Sequence, residues 1–303
     1  MLQSLRESYS KPQSPLFAFS LVFPSLLVIL ILIVYPLAYS FVLGFGKVGA
    51  NFRGYEFIGV QNYIKVITDK FVWHSFLVTL EWVAGVTVLL QLAGLGGALL
   101  LDTNVRGKSI FRALLLVPWA VPPVANGIIW LSIYNKNYGA LNGLLYQLGI
   151  IKEYNIAWLE TPSLAILSVI IAQVWKWSPF ATLMILAALQ SIPDELYEVA
   201  RIDGAGIIQR FRFITLPLLL PTLLILILLN LVWSLNAFGL IYALTQGGPG
   251  NATKVIAYHI WKQTFSAAAD FGGGAAMSYI VLFISIMITL LYSRAAKTAR
   301  VQF

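Results

Sequence analysis

The 303 residues contain no cysteine, two histidines, and charged side chains at only 11% of positions. The first absence excludes both a disulfide framework and a thiolate metal site. The second leaves His74 and His259, each beside an apolar stretch, where interfacial packing accounts for an imidazole better than metal ligation does. The charge content is far below the ~25% of a typical soluble domain, while 59% of the chain is hydrophobic. No Ser/His/Asp or paired-carboxylate arrangement stands out, so nothing in the chain points to an enzyme. Asp102-Thr-Asn-Val-Arg-Gly-Lys-Ser109 ends like a phosphate-binding loop, but its first glycine is replaced by Asp102 and no strand precedes it. A net charge of +8 raises the question of nucleic acid. The basic residues, however, are scattered among loops and form no stripe interleaved with aromatics, so nucleic acid is not expected as a partner.

Long apolar runs are abundant. Six stretches, roughly 16–44, 73–101, 110–134, 163–189, 217–244 and 274–293, have the ~20-residue length needed to cross a bilayer as helices. They are too long and too uniformly apolar for barrel strands. The expected fold class is an all-α membrane protein with six transmembrane helices. The first run is longer than a signal-peptide core and is followed by no small-residue cleavage site, so it reads as a retained helix. Six spans place both termini on one side. Putting that side in the cytoplasm gathers eleven basic residues inside against eight outside, the inner ones (Arg106, Lys108, Arg112, Arg210, Arg212, Arg294 among them) crowded near helix ends. The expectation is therefore a multi-pass protein of the cytoplasmic (inner) membrane, with a cytoplasmic segment at 1–15, a membrane domain at 16–293 and a cytoplasmic tail at 294–303.

Kinks are expected at Pro24, Pro36, Pro118, Pro122-Pro123 and Pro179, and a hinge at Gly272-Gly-Gly274. Trp73, Tyr134, Tyr138, Tyr154 and Trp158, in or beside the longer outer loops, read as interfacial anchors. There is no low-complexity tract and no clear internal repeat.

One polar stretch interrupts this pattern. In Glu198-Val-Ala-Arg-Ile-Asp-Gly204, followed after nine residues by Ile214-Thr-Leu-Pro217, acidic, small and glycine residues lie between two apolar runs. Ser191 reads as a helix cap, Pro193 as first-turn residue, and Asp194 and Glu195 as complements to the helix dipole. Ile192, Leu196, Val199 and Ala200 form a narrow apolar stripe, giving a short helix over about 193–206. The motif resembles the EAA loop of ABC importer membrane subunits, with Val199 where alanine is usual. Phe238-Gly-Leu-Ile-Tyr-Ala-Leu-Thr-Gln-Gly-Gly-Pro249 and Trp175-Lys-Trp-Ser-Pro-Phe180 are similar to segments of the carbohydrate-uptake branch, in particular the maltose-permease F-type partner of a two-permease pair.

That resemblance covers most of 16–303 and implies a type I ABC importer transmembrane domain with a coupling loop at 190–216. Glu198, Ala200, Asp203, Gly204 and Ala205 would form the contact with an ATPase, the small residues by close approach and the two acids by pairing with basic groups. It also implies a second homologous permease subunit, two cytoplasmic ATPase subunits that bind the ATP and Mg this chain does not hold, and an extracytoplasmic substrate-binding protein. A di- or oligosaccharide is the implied cargo, with glycerol phosphate or a polyol as alternatives. A carrier driven by an ion gradient is the contrasting class, and it would not need the loop.

Candidates for the solute path come from polar residues inside spans, where a charge is costly unless it faces a bundle interior or water. These are Glu81 and Lys176, with Gln173, Trp177 and Phe180 at helical spacing around the lysine. On the fifth span Asn230, Trp233 and Ser234 lie on one side and Asn236 on another. Amides and aromatic rings suit a sugar. The alternative reading is helix–helix hydrogen bonding for the polar groups and a Glu81–Lys176 salt bridge for the charges.

Overall fold

The computed structural model describes residues 15–48, 54–103, 107–266 and 269–300. Arg6, Lys11, Arg53, Arg106 and nearly all of the 1–15 segment lie outside these residues, as does the middle of the 102–109 stretch. Helix α1 is continuous through Pro15–Ile29, a π-helical turn Leu30–Val34, and Tyr35–Leu43. A hairpin of β1 (Gly46–Val48) and β2 (Tyr55–Phe57), with Lys47 opposite Glu56, follows. After the short α2 (Gln61–Thr68) comes α3 (Lys70–Asp102), started by Asp69, whose carboxylate accepts from the Phe71 amide at 2.7 Å. The third apolar stretch is two helices, α4 (Lys108–Ala120) and α5 (Pro123–Ile133), bent by 98° at Val121-Pro122. The double proline removes two consecutive backbone donors, so the expected kink becomes a break. Helix α6 (Ala140–Gln147) lies in the following loop, and α7 (Pro162–Leu189) runs unbroken through Pro179.

Helix α8 (Asp194–Ile202) leads to α9, which is built from Ile207–Arg210, a second π-helical turn Phe211–Thr215, and Leu216–Leu235. Two expectations are corrected here. The loop at 190–216 is shorter than foreseen because 207–216 is already helical. The fifth span ends at Leu235, and 239–244 is a separate helix, α10 (Gly239–Leu244). Helices α11 (Ile256–Phe265) and α12 (Phe271–Arg300) complete the chain. Gly272, Gly273 and Gly274 are no hinge, since all three lie inside α12. A Cβ on Gly272 would come within 2.1 Å of the Gly46 carbonyl, and one on Gly274 within 1.9 Å of the Thr264 hydroxyl. Small residues serve close packing at this corner.

Helix α7 is the centre of the fold: over half of its apolar window is buried, whereas none of that in α1 is. Its principal partner is α3. In a bilayer the lipid tails are as apolar as leucine, so helices associate through close contact of small residues. Gly85, Gly94 and Gly97 of α3 provide it, facing Ile170, Ala181 and Thr182 of α7. Trp82, Val86, Val169 and Ile170 form one core with Tyr134, Leu240 and Tyr258, and Leu90, Ala98, Ala181, Ile185 and Leu219 form another. Tyr134, expected as an interfacial anchor, is buried and donates to the Ser168 carbonyl at 3.1 Å. Trp158 likewise turns inward, donating to Asn142 at 2.8 Å.

At the end of the bundle opposite α8, the Ser75 hydroxyl and His259 Nδ1 lie 2.8 Å apart, and Thr79 accepts from the Ile256 amide at 2.8 Å. These contacts fasten α11 to α3. Burial, and then the ammonium of Lys254, lower the pKa of His259 to about 4, with Lys262 acting in the same direction and Asp69 and the Phe71 backbone opposing. The histidine is thus held neutral, buried against Ser75.

Two measurements test this architecture. Gly94→Leu is expected to lower the thermal midpoint of the purified protein through overpacking worth about 1–3 kcal/mol. Gly96→Leu, where a Cβ meets nothing within 4 Å, is expected to leave it nearly unchanged. For His259 the folded pKa lies below the unfolded value of 6.5, so the unfolded chain takes up the proton first. Stability is then complete above about pH 6.5 and falls as pH drops toward about 4, by an amount on the order of 3 kcal/mol. Thermal midpoints of wild type and His259→Asn across this range are expected to converge at the acid end.

Candidate coupling surface and solute cavity

Helix α8 starts at Pro193, whose extended ψ of 133° places it just outside the first turn. Asp194 and Glu195 occupy that turn and Arg201 the last one, each complementing the helix dipole. Ser191 is not the cap expected: its hydroxyl turns back to the Ala188 carbonyl at 2.7 Å. At the other end the amides of Asp203, Gly204 and Ala205 donate back to carbonyls of the last helical turn, those of Val199, Arg201 and Ala200, the last at 2.8 Å. Gly204 has φ of 80°, the left-handed conformation that ends helices, and a Cβ there would meet nothing in this chain. Glu198, Asp203 and Gly204 are exposed, and Ala200 and Ala205 half-buried. The five residues expected to make the coupling contact therefore sit together on one helix and its closing turn.

The surroundings of α8 are apolar in a way the narrow stripe did not foretell. Ile202, Ile207, Ile208 and Phe213 are 85%, 79%, 81% and 70% exposed, with Val199 at 57%. These large apolar side chains cluster around the polar loop and are left uncovered by the rest of the chain. Tyr197 ties α8 to the foot of α9 through its hydroxyl, 2.9 Å from that of Thr215. Helix α8 is thus a crosspiece between α7, which precedes it by four residues, and α9, which follows it by four.

Those same two helices wall a cavity of about 290 Å³ near mid-span. Gln173, Lys176 and Trp177 of α7 line it with Trp233 of α9 and Asn236 just past its end, closed by Pro123 and Phe238. Trp177 and Trp233 stack at 4.4 Å, and Phe180 stands behind them, edge-on to Trp233 at 5.5 Å. The Lys176 ammonium is 5.4 Å from the Trp177 ring centre and donates to the carbonyls of Trp119, at 3.0 Å, and Val121. A larger hollow of about 620 Å³ opens between α1, α9, α11 and α12. Its lining mixes aliphatic side chains with hydroxyls and shares Asn236 with the smaller cavity, which alone of the two holds an ammonium and two indoles.

Six of the eight expected path residues are brought together: Gln173, Lys176, Trp177, Trp233 and Asn236 in the wall and Phe180 behind it. Two are not. Glu81 is exposed on α3 and forms no bridge to Lys176, whose ammonium is on backbone carbonyls instead. Asn230 is buried between helices, donating to the Thr87 hydroxyl at 2.6 Å and accepting from Ser234 at 3.1 Å. It holds α9 to α3, as the helix-contact alternative supposed, and Trp233 faces the cavity with Asn236. Trp119 and the Val121 carbonyl went unforeseen, although the Pro122-Pro123 pair that frees carbonyls there was visible. Among the described residues no cluster of three metal-ligating side chains occurs.

A bundle of apolar helices with an exposed surface crosspiece and a half-polar internal cavity defines a class, the membrane subunits of transporters. Residues 91–300 match the family described as binding-protein-dependent transport system inner membrane component. The chain is 36% identical over 280 residues to the trehalose/maltose transport system permease protein MalF of Thermococcus litoralis, covering 92% of this chain and 93% of that protein. It is 35% identical to the sulfoquinovosyl glycerol transport system permease protein SmoG of Agrobacterium fabrum, over 93% of this chain and 91% of that one. Identity to the sn-glycerol-3-phosphate transport system permease protein UgpA of Shigella flexneri is 33%, over 92% and 93%. A chain of a bacterial alginate ABC transporter, solved in complex with alginate pentasaccharide-bound periplasmic protein, has the same fold. Its TM-score is 0.76 at 20% identity, covering 93% of this chain and 94% of that one.

The chain belongs to the binding-protein-dependent transport system inner membrane component family. It is a multi-pass permease subunit with the type I ABC importer fold.

Because the chain has no cysteine, single cysteines report the two environments of α9. Asn236→Cys is expected to react readily with a charged thiol reagent in the folded protein, and Asn230→Cys to stay protected until denaturation. Equal rates would mean that α9 is rotated from the orientation described.

Proposed function

We propose that this permease imports an oxygen-rich solute, a di- or oligosaccharide, by alternating access driven by ATP hydrolysed in partner subunits. The observation that carries the reading is the placement of α8. This exposed crosspiece joins the very two helices, α7 and α9, that supply the polar wall of the cavity. Two cytoplasmic ATPases, holding ATP and Mg, would grip α8 of this chain and its counterpart on a second permease. Their closure would displace α8, and the rigid α7 would carry the movement about 20 Å, the length of the thirteen residues from Leu189 back to Lys176. The cavity then exchanges inward for outward access as nucleotide binding biases a two-state equilibrium.

A second permease is supported by α1, which has no buried residue in its apolar window and meets the rest of the chain chiefly through Tyr279 against Leu37 and Ser40. An extracytoplasmic binding protein would deliver the solute to the end of the bundle opposite α8. This assigns α8, both termini and the tail at 294–303 to the cytoplasm. The wall of one chain, about 290 Å³, suits half of a path whose other half the second permease provides. Indoles offer apolar faces to sugar rings, and Gln173 and Asn236 offer amides to hydroxyls.

One observation favours a second cargo, an organic phosphate such as glycerol phosphate. The ammonium of Lys176 in the wall is bonded to backbone carbonyls and has no carboxylate partner among the described residues, and one relative is named for sn-glycerol 3-phosphate.

The reading is tested by purifying the tagged chain from its host in mild detergent, as wild type and as Gly204→Glu. The substitution places a side chain where φ is 80° and the space is open, so it burdens the contact with a partner more than the fold. An ATPase subunit is expected to accompany the wild type and to be lost from the variant. Retention of the same partners by Gly204→Glu would remove α8 from the coupling role. In proteoliposomes of the assembled transporter, uptake of labelled maltose or trehalose is expected to require ATP and no ion gradient. Uptake of sn-glycerol 3-phosphate in their place would select the second cargo.

A further inference from the structure

The break between α4 and α5 leaves peptide groups without partners in the middle of the membrane. A continuing helix would bring the amides of residues 122 and 123 onto the carbonyls of Pro118 and Trp119, but both residues are proline and have no N–H. The Pro118 carbonyl is served by the Val121 amide at 3.2 Å. The carbonyls of Trp119 and Val121 are taken by one group from another helix, the ammonium of Lys176. The lysine is 5% exposed, and its charge complements the negative end of the α4 dipole. A second tie lies on the far side of the break, where the Asn126 amide nitrogen donates to the Ala172 carbonyl at 3.2 Å. Helix α7 therefore holds α4 by residue 176 and α5 by residue 172, one turn apart.

Lys176 and Pro123, the first residue of α5, both line the cavity. The bend angle and the shape of the cavity wall are consequently one variable. We propose that Lys176 is a positioning residue for transport: its ammonium sets the 98° bend of the third span and thereby the shape of the polar wall. With the lysine removed, the two carbonyls would lose the donor that ties them to α7, and α4 and α5 would be free to reorient in search of others. This inference goes beyond the proposed function and holds whatever the cargo and the energy source prove to be, so its failure leaves that reading intact.

The test uses the assembled transporter in lipid nanodiscs. Spin labels are attached at Ile110→Cys and Leu131→Cys, on the outer faces of α4 and α5 (67% and 43% exposed), in a chain otherwise free of cysteine. Electron–electron resonance is expected to give one narrow distance with Lys176 or Lys176→Arg, and a broadened or shifted distribution with Lys176→Met. A narrow, unshifted distribution in the Met variant would overturn the proposal. A chemical rescue separates positioning from folding. In Lys176→Cys without labels, amide exchange over 119–127 is expected to be faster than in wild type. Treating the folded protein with 2-bromoethylamine, which rebuilds a near-isosteric ammonium, is expected to return it to the wild-type rate. Exchange indifferent to both substitution and rescue would equally overturn it.

Discussion

Inside a bilayer there is no water to satisfy a peptide group, and each unsatisfied one costs several kcal/mol. At three places where helices of this chain are interrupted, end or begin, a side chain from elsewhere supplies a missing partner. Lys176 does so for Trp119 and Val121 at the break in the third span. Asn62 does so for the carbonyls of Gly44 and Gly46, at 3.1 and 2.9 Å, where α1 ends. Thr79 takes the Ile256 amide at the start of α11. Some polar residues of this apolar sequence answer interrupted helices in this way, while others, such as Asn230 and Thr87, clasp neighbouring helices along their length.

Close approach is the second condition. Helix α7 can be central because α3 presents glycines to it, and because Ala165, Ala172 and Ala181 on α7 are themselves small and buried. The same helix carries Gln173, Lys176 and Trp177 into the cavity and ends four residues before the surface crosspiece. Core, cavity wall and lever arm thus coincide in one rigid element. Helix α8 is linked to the cavity wall through α7, and the Tyr197 hydroxyl against that of Thr215 links it to α9 as well.

Much of this was legible in the chain. The apolar runs are set by hydrocarbon thickness, so their number and approximate positions follow from length and hydropathy. The crosspiece was legible because a charged, glycine-punctuated stretch lies between two apolar runs and its residues match the spacing of the family motif, which set it apart from an amphipathic helix resting on the membrane surface. Lys176 drew attention because an ammonium at mid-span needs a reason, and Gln173 and Trp177 followed from helical periodicity. Glu81 drew the same attention, yet it faces outward, since hydropathy reports depth and says nothing of the direction a side chain takes around a helix. Asn230 and Asn236 are chemically identical and six residues apart; only the position of Thr87 on a distant helix makes one a clasp and the other a cavity residue. Gly272-Gly-Gly274 reads as a hinge locally and becomes a packing surface once Gly46 and Thr264 arrive against it.

By itself, then, the sequence determined the environment, the helical character, the location of the surface helix and the family. Each of these depends on local composition, spacing or a contiguous motif. The tertiary structure alone decided that the third span is two helices bent by 98°, that the fifth stops at Leu235, which polar groups line the cavity, and that a lysine 55 residues beyond Val121 answers its carbonyl. These outcomes depend on which helices lie side by side and how they are rotated. Within lipid that choice comes from the fit of small surfaces and from the demand of each orphaned peptide group for a partner, neither of which any single segment contains.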